Sequence, residues 1–308
     1  MWTDPVETCR ALLAQGRVTE AERAARSSLD EANRRFGAAH ANVVLGCLAL
    51  GEVLVAERRA SEALLPLNRA AKALVHDGGL SRRRGAEVLD LLGFAHEHLG
   101  DLRAAERAFR EALEIREQEL GDDHPDCARS LEALARLYGD GRFEDDTAES
   151  LLLRARTILE AAGPAYADRA AALLHDLGAL YLRDRRLDDA RATFERALAL
   201  RVSSEGADGP DVAAAVRDLA TLFAERGDLG TAESLCLQAL ALVDRLHGPD
   251  APQAVDLVLD LADVQRRLGR RREALAMYRR AVALRREING PDDVDAAELE
   301  AWIQTWPA

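Results

Sequence analysis

The side chains best suited to chemistry are few, and their spacing excludes most of what they could do. His96-Glu97-His98 offers metal-ligand types in a row. Residues two apart on a helix point in different directions, and no third ligand accompanies them, so metal binding is not expected. Cys9, Cys47, Cys127 and Cys236 show neither CxxC nor paired spacing. They read as small buried hydrophobes rather than zinc ligands or a disulfide framework. The stretch Gly139-Asp140-Gly141-Arg142-Phe143-Glu144-Asp145-Asp146 is rich in carboxylates but lacks the ligand order of a calcium loop, and reads as a lengthened turn. There is no phosphate-cradling glycine loop, no Gly-x-Ser-x-Gly elbow and no His-Glu-x-x-His. No catalytic residue, cofactor or metal is therefore expected, and the chain reads as a non-enzyme.

What remains is charge on helix faces. Helical periodicity brings Arg129, Glu132, Arg136, His175, Asp176, Arg183, Arg217, Asp218, Asp256, Asp263 and Arg266 to corresponding faces of successive helices. Arginine presents a planar fork of donors that fits a carboxylate in two parallel hydrogen bonds, so such faces suit recognition of charged protein segments. The alternative is a solvated surface of local ion pairs, each worth about 0–1 kcal/mol.

The elements that carry these residues follow from composition and from repetition. Hydrophobic residues make up 48% of the 308 positions and aromatics only 4%, so the core is built of Ala and Leu, the strongest helix formers. The class is all-α. A net charge of −13 argues against nucleic acid or a membrane surface as partner. No apolar run is long enough to span a membrane, and the Met-Trp-Thr-Asp-Pro start lacks signal-peptide character, so a cytoplasmic location is expected. Lys72 is the only lysine among 41 basic residues, which reads as the codon usage of a GC-rich bacterial genome.

One alanine recurs in the same setting at Ala21, Ala63, Ala105, Ala148, Ala190, Ala232 and Ala274, at steps of 42 or 43. Gly37, Gly79, Gly121, Gly163, Gly206, Gly248 and Gly290 run in parallel, fifteen or sixteen residues later. This periodicity predicts one domain of seven helix-turn-helix units, spanning about 3–37, 40–79, 82–121, 125–163, 166–206, 209–248 and 251–290. Gly100-Asp101, Arg185-Arg186, Gly227-Asp228 and Gly269-Arg270 fall at the turn inside a unit, and glycine suits the left-handed residue that ends the first helix. Small residues at Gly93, Gly178, Ala135, Ala220 and Ala262 let the two helices cross closely, and Phe109, Tyr138, Tyr181, Phe194, Phe223 and Tyr278 fill the space beside them. His40 and His124 tie the turns between units. Residues 292–306 form a capping helix carrying Val294, Leu299, Trp302 and Ile303, with Trp306 beyond the cap contact. Trp302 and Trp306 offer a route to weak self-association.

Leu174, Leu177-Gly178, Tyr181, Ala190, Phe194 and Ala197 match every element of the tetratricopeptide signature. The 42-residue period and the linker Leu120-Gly121-Asp122-Asp123-His124-Pro125-Asp126 resemble the kinesin-light-chain type. The resemblance implies a right-handed superhelical solenoid whose first helices line a concave groove for extended peptides or proteins. It implies a scaffold or adaptor, and bacterial relatives in regulators imply a regulatory setting. Alternatives are a sensor of a signal peptide or small ligand that changes curvature, or a self-assembling scaffold. The family often places paired Asn before the Leu-Ala element. Here those slots hold Glu132-Ala133, His175-Asp176, Arg217-Asp218 and Leu259-Asp260, so the groove is expected to recognise charge.

Overall fold

The computed structural model describes residues 4–37, 40–76, 82–139 and 145–306; the expected turn over residues 140–144 lies outside them. Among the described residues the chain forms α-helices and one 3₁₀ turn, Pro164–Tyr166. It divides into two compact units, Met1–Ile158 and Leu159–Ala308. The first holds α1 (Pro5–Ala14), α2 (Val18–Arg35), α3 (Ala41–Ala56), α4 (Ala60–His76), α5 (Arg82–His98), α6 (Leu102–Leu120), α7 (Pro125–Gly139) and most of α8 (Asp145–Ala161). The second holds α9 (Ala167–Arg183), α10 (Leu187–Glu205), α11 (Val212–Arg226), α12 (Leu229–His247), α13 (Ala254–Arg267), α14 (Arg271–Asn289) and α15 (Val294–Gln304). Odd-numbered helices through α13 open a pair and even-numbered helices close it.

Helix ends follow local sequence. Gly100 sits at φ 78 after α5, and the Asp101 carboxylate accepts the Ala104 N–H at 3.0 Å to start α6. Gly227 and Asp228 repeat the arrangement before α12. Arg58 and Arg185 take the left-handed position without being glycine, at φ 57 and 60, a conformation that costs about 1–2 kcal/mol. The repeat thus imposes this geometry even where the residue opposes it. The histidines do tie their turns: Nδ1 of His40 and of His124 each accept a backbone N–H two residues on, both at 3.1 Å.

Packing explains the marker residues. All seven marker alanines are fully buried. Within the pairs, backbone glycine meets a large side chain of the second helix. A Cβ on Gly51, Gly93 or Gly178 would lie within 2.3–2.4 Å of Leu67, Phe109 or Phe194 respectively. Each ring or isobutyl group therefore occupies the place of a missing methyl, at the close packing typical of interiors. Each unit is also laced by its neighbours: α3 packs on α1, α2, α4 and α5 in the first, and α11 on α9, α10, α12 and α13 in the second.

The end of the chain differs from expectation in two residues. α15 packs on α14 and buries Ala296 and Ile303, but Val294 is 67% exposed and takes no part in the cap. Trp306 is not beyond the contact. Its ring meets Tyr278 and Trp302 edge-on at 5.8 and 4.9 Å, and Arg271 lies over it at 5.5 Å. The offset edge-to-face geometry favoured by aromatic quadrupoles draws it back onto α14.

Candidate protein-binding surface

In the second unit, three consecutive first helices expose one stripe each. On α9 this stripe is Ala172, His175, Asp176, Ala179 and Arg183, at spacings of three and four that share a helical face. On α11 it contains exposed Ala214 and Thr221 with half-buried Arg217 and Asp218, and on α13 exposed Asp256 and Arg266 with half-buried Asp263. The opposite faces are buried, with Leu173, Leu174, Leu177 and Tyr181 of α9 in the interior.

His175 and Arg217 are joined to charged residues of the next first helix. His175 Nδ1 lies 2.7 Å from Asp218 Oδ2. That hydrogen bond holds the imidazole pKa above its ordinary value, against the opposing pull of burial. Arg217 donates from Nε to Asp260 at 2.5 Å and from Nη1 to Asp256 at 3.2 Å. Arg266 bonds Asp263 within its own helix, and Arg183 lies 3.4 Å from Asp184.

The first unit carries Arg129, Glu132 and Arg136 on α7, of which both arginines are exposed. The Arg136 fork is engaged by Glu97 of α5, at 3.0 and 2.7 Å, and its guanidinium stacks over Phe94 at 5.1 Å. The carboxylate of the His-Glu-His run thus belongs to an arginine. Arg10 of α1 reaches Glu52 of α3 at 2.8 Å and Glu87 of α5 at 3.0 Å, tying three first helices. Among the described residues no group of three or more His, Cys, Asp or Glu could hold a metal ion. The four cysteines are buried and free; burial chiefly pushes the thiols of Cys9 and Cys236 up to about 11, which leaves them poor nucleophiles.

Of the eleven residues singled out in the sequence, three lie in the first unit and eight in the second. The structure joins His175 to Asp218 and Arg217 to Asp256. It also brings in Asp260, which the sequence places in a paired slot without a partner, and residues that sequence reasoning did not assign to this surface: Glu97 and the exposed alanines between the charges. Translating Arg217 by one 42-residue repeat lands on Leu259, and Asp260 is the next residue, so the signal lay one position off the repeat. Alanine on a helix face carries none, since the same residue fills the core.

A family model described as the MalT-like TPR region matches residues 141–306, and one described as the tetratricopeptide repeat matches residues 86–161. The chain belongs to the tetratricopeptide repeat proteins, an all-α solenoid class. Solved structures agree. BtubC (BKLC) from P. vanneervenii is 25% identical, with 81% of this chain and 94% of that one covered and a TM-score of 0.59. A putative kinesin light chain of nearly identical TPR-like repeats from Podosopora anserina is 19% identical over 68% of this chain and 99% of its own, with a TM-score of 0.58. A Rap protein complexed with Competence and Sporulation Factor is 15% identical over 98% of this chain and 85% of its own, with a TM-score of 0.60. None of the curated proteins matches the sequence. Among the described residues no helix is long and apolar enough to cross a membrane.

Proposed function

We propose that this protein is an interaction scaffold that holds a protein or peptide segment against the exposed faces of its first helices, within a bacterial cytoplasmic regulatory system. The observation that carries the reading is the stripe on α9, α11 and α13. Exposed Ala172, Ala179 and Ala214 leave room for a backbone to approach, and charged side chains flank them. The ion pairs between first helices hold those flanks in place, which limits the side-chain entropy lost when a segment binds. Membership of the tetratricopeptide repeat proteins supports the same reading, and a chain of similar fold is known in complex with a factor.

The test fills the floor without touching the braces. Ala172→Arg, Ala179→Arg and Ala214→Arg together place bulk on solvent-exposed positions. Helicity by circular dichroism should be unchanged while capture of the partners that wild-type protein retains is lost. Unchanged capture would sink the proposal.

A further inference from the structure

The first unit contains a second feature of a different kind. A pocket of about 240 Å³ is lined by Arg83, Arg84 and Glu87 of α5, Arg116 and Leu120 of α6, and Asp126 and Arg129 of α7. Four guanidinium groups face two carboxylates there, in a chain whose net charge is −13.

Both carboxylates already have cations. Asp126 takes Arg83 Nη2 at 3.1 Å, and Glu87 takes Arg84 at 2.9 Å and Arg10 at 3.0 Å. Two arginines are further held from behind the wall. Arg84 reaches Asp4 at 3.1 Å, and Arg116, only 4% exposed, forks onto Asp90 and donates to Ser130. Arg129 is exposed and makes no ion pair among the described residues; Arg83 is bonded through Nη2 alone. The pocket therefore combines two arginines fixed by their own partners, Arg84 and Arg116, with donors of Arg129 and Arg83 that remain available, beside an apolar wall at Leu120. Clustered guanidinium groups repel one another, and an anion with several acceptor oxygens relieves that repulsion while using the remaining donors. A planar monocarboxylate offers two oxygens, whereas a phosphoryl group offers three on a dianion.

We propose that this pocket binds a phosphoryl dianion, with Arg129 and Arg83 as the principal ligands and Arg84 and Arg116 as fixed positive walls. The proposal stands independently of partner capture on α9 and α11, because a phosphate titration needs no partner.

The experiment titrates inorganic phosphate into the full chain at constant ionic strength, at a pH of about 8 where the dianion dominates, by calorimetry and ³¹P line broadening. Saturable one-site binding is expected, weakened about tenfold by Arg129→Ala and further by adding Arg83→Ala, as for loss of charge-assisted bonds. Both residues are exposed, so these variants should keep the wild-type melting temperature. Asp126→Asn removes a competing carboxylate and should tighten binding, a change of sign that a purely structural role would not give. Absence of saturable binding, indifference to all three substitutions, or acetate binding as tightly as phosphate would overturn the proposal. A phosphoserine peptide binding more tightly than both its unphosphorylated form and inorganic phosphate assigns the group to a partner segment; otherwise the source is a free phosphorylated compound, and the site stands in either case.

Discussion

Arg217 on α11 donates its Nε–H to Asp260 on α13 at 2.5 Å, and the two lie 43 positions apart, one more than the 42-residue repeat. The same translation joins His175 to Asp218. Charges that look like isolated surface residues along one helix are cross-braces between successive first helices. Both partners of the Arg217 pair are about one-third exposed, so water screens it and its worth is about 0–1 kcal/mol. Arg217→Ala and Asp260→Ala should each lower the urea midpoint slightly. Their double variant should show positive coupling that shrinks in high salt, and strict additivity would refute the brace.

His175 adds a pH dependence with a defined sign. Its folded-state pKa is raised, chiefly by the hydrogen bond to Asp218, so the protonated pair favours the folded state. That stabilisation is fully present below the unfolded value of 6.5 and fades as pH rises through the raised folded value. The exposed imidazole makes the effect small. NMR titration of His175 should give a pKa above 6.5 in the wild type and a lower one in Asp218→Asn. Equal values in the two proteins would contradict the pairing.

Gly178 tests the close approach within a pair. A methyl there would sit 2.4 Å from the Phe194 ring, which is itself buried. Gly178→Ala should destabilise by about 1–3 kcal/mol through overpacking, despite alanine's better helix propensity. Phe194→Leu on that background should recover part of the loss, read by thermal or urea unfolding.

These cases mark what was legible in the sequence. The alanine column, the Gly93 and Gly178 crossings and the turn histidines all follow from local rules repeated at a fixed interval. Arg58 and Arg185 show the repeat prevailing over residue preference, since backbone conformation there is set by packing on either side. The surface was less legible. Periodicity groups Arg136 with the groove-facing charges, yet Glu97, nearly one repeat earlier, fills its fork. Pairing of that kind depends on side-chain reach across helices, which periodicity along one helix does not report. Trp306 was misplaced for a related reason: its contact lies with Tyr278 of another helix.

Arg116 of α6 is a charge held inside the first unit. It is buried, forks onto Asp90 of α5 and donates to Ser130 of α7, joining three consecutive helices. Arg116→Ala would strand Asp90 and should cost about 3–5 kcal/mol. Asp90→Leu combined with Arg116→Met removes both charges and should retain more stability than the single change. If Arg116→Ala melts like wild type, the buried pair is not the tie described.

The central claim is that first-helix faces hold a partner. Because the four native cysteines are buried, a cysteine introduced at exposed Ala179 on α9 can be labelled selectively with a benzophenone, as can one at exposed Glu195 on α10. Photolysis in the presence of captured partner should give cross-links from position 179 and few from 195. Equal yields, or the reverse order, would contradict the account.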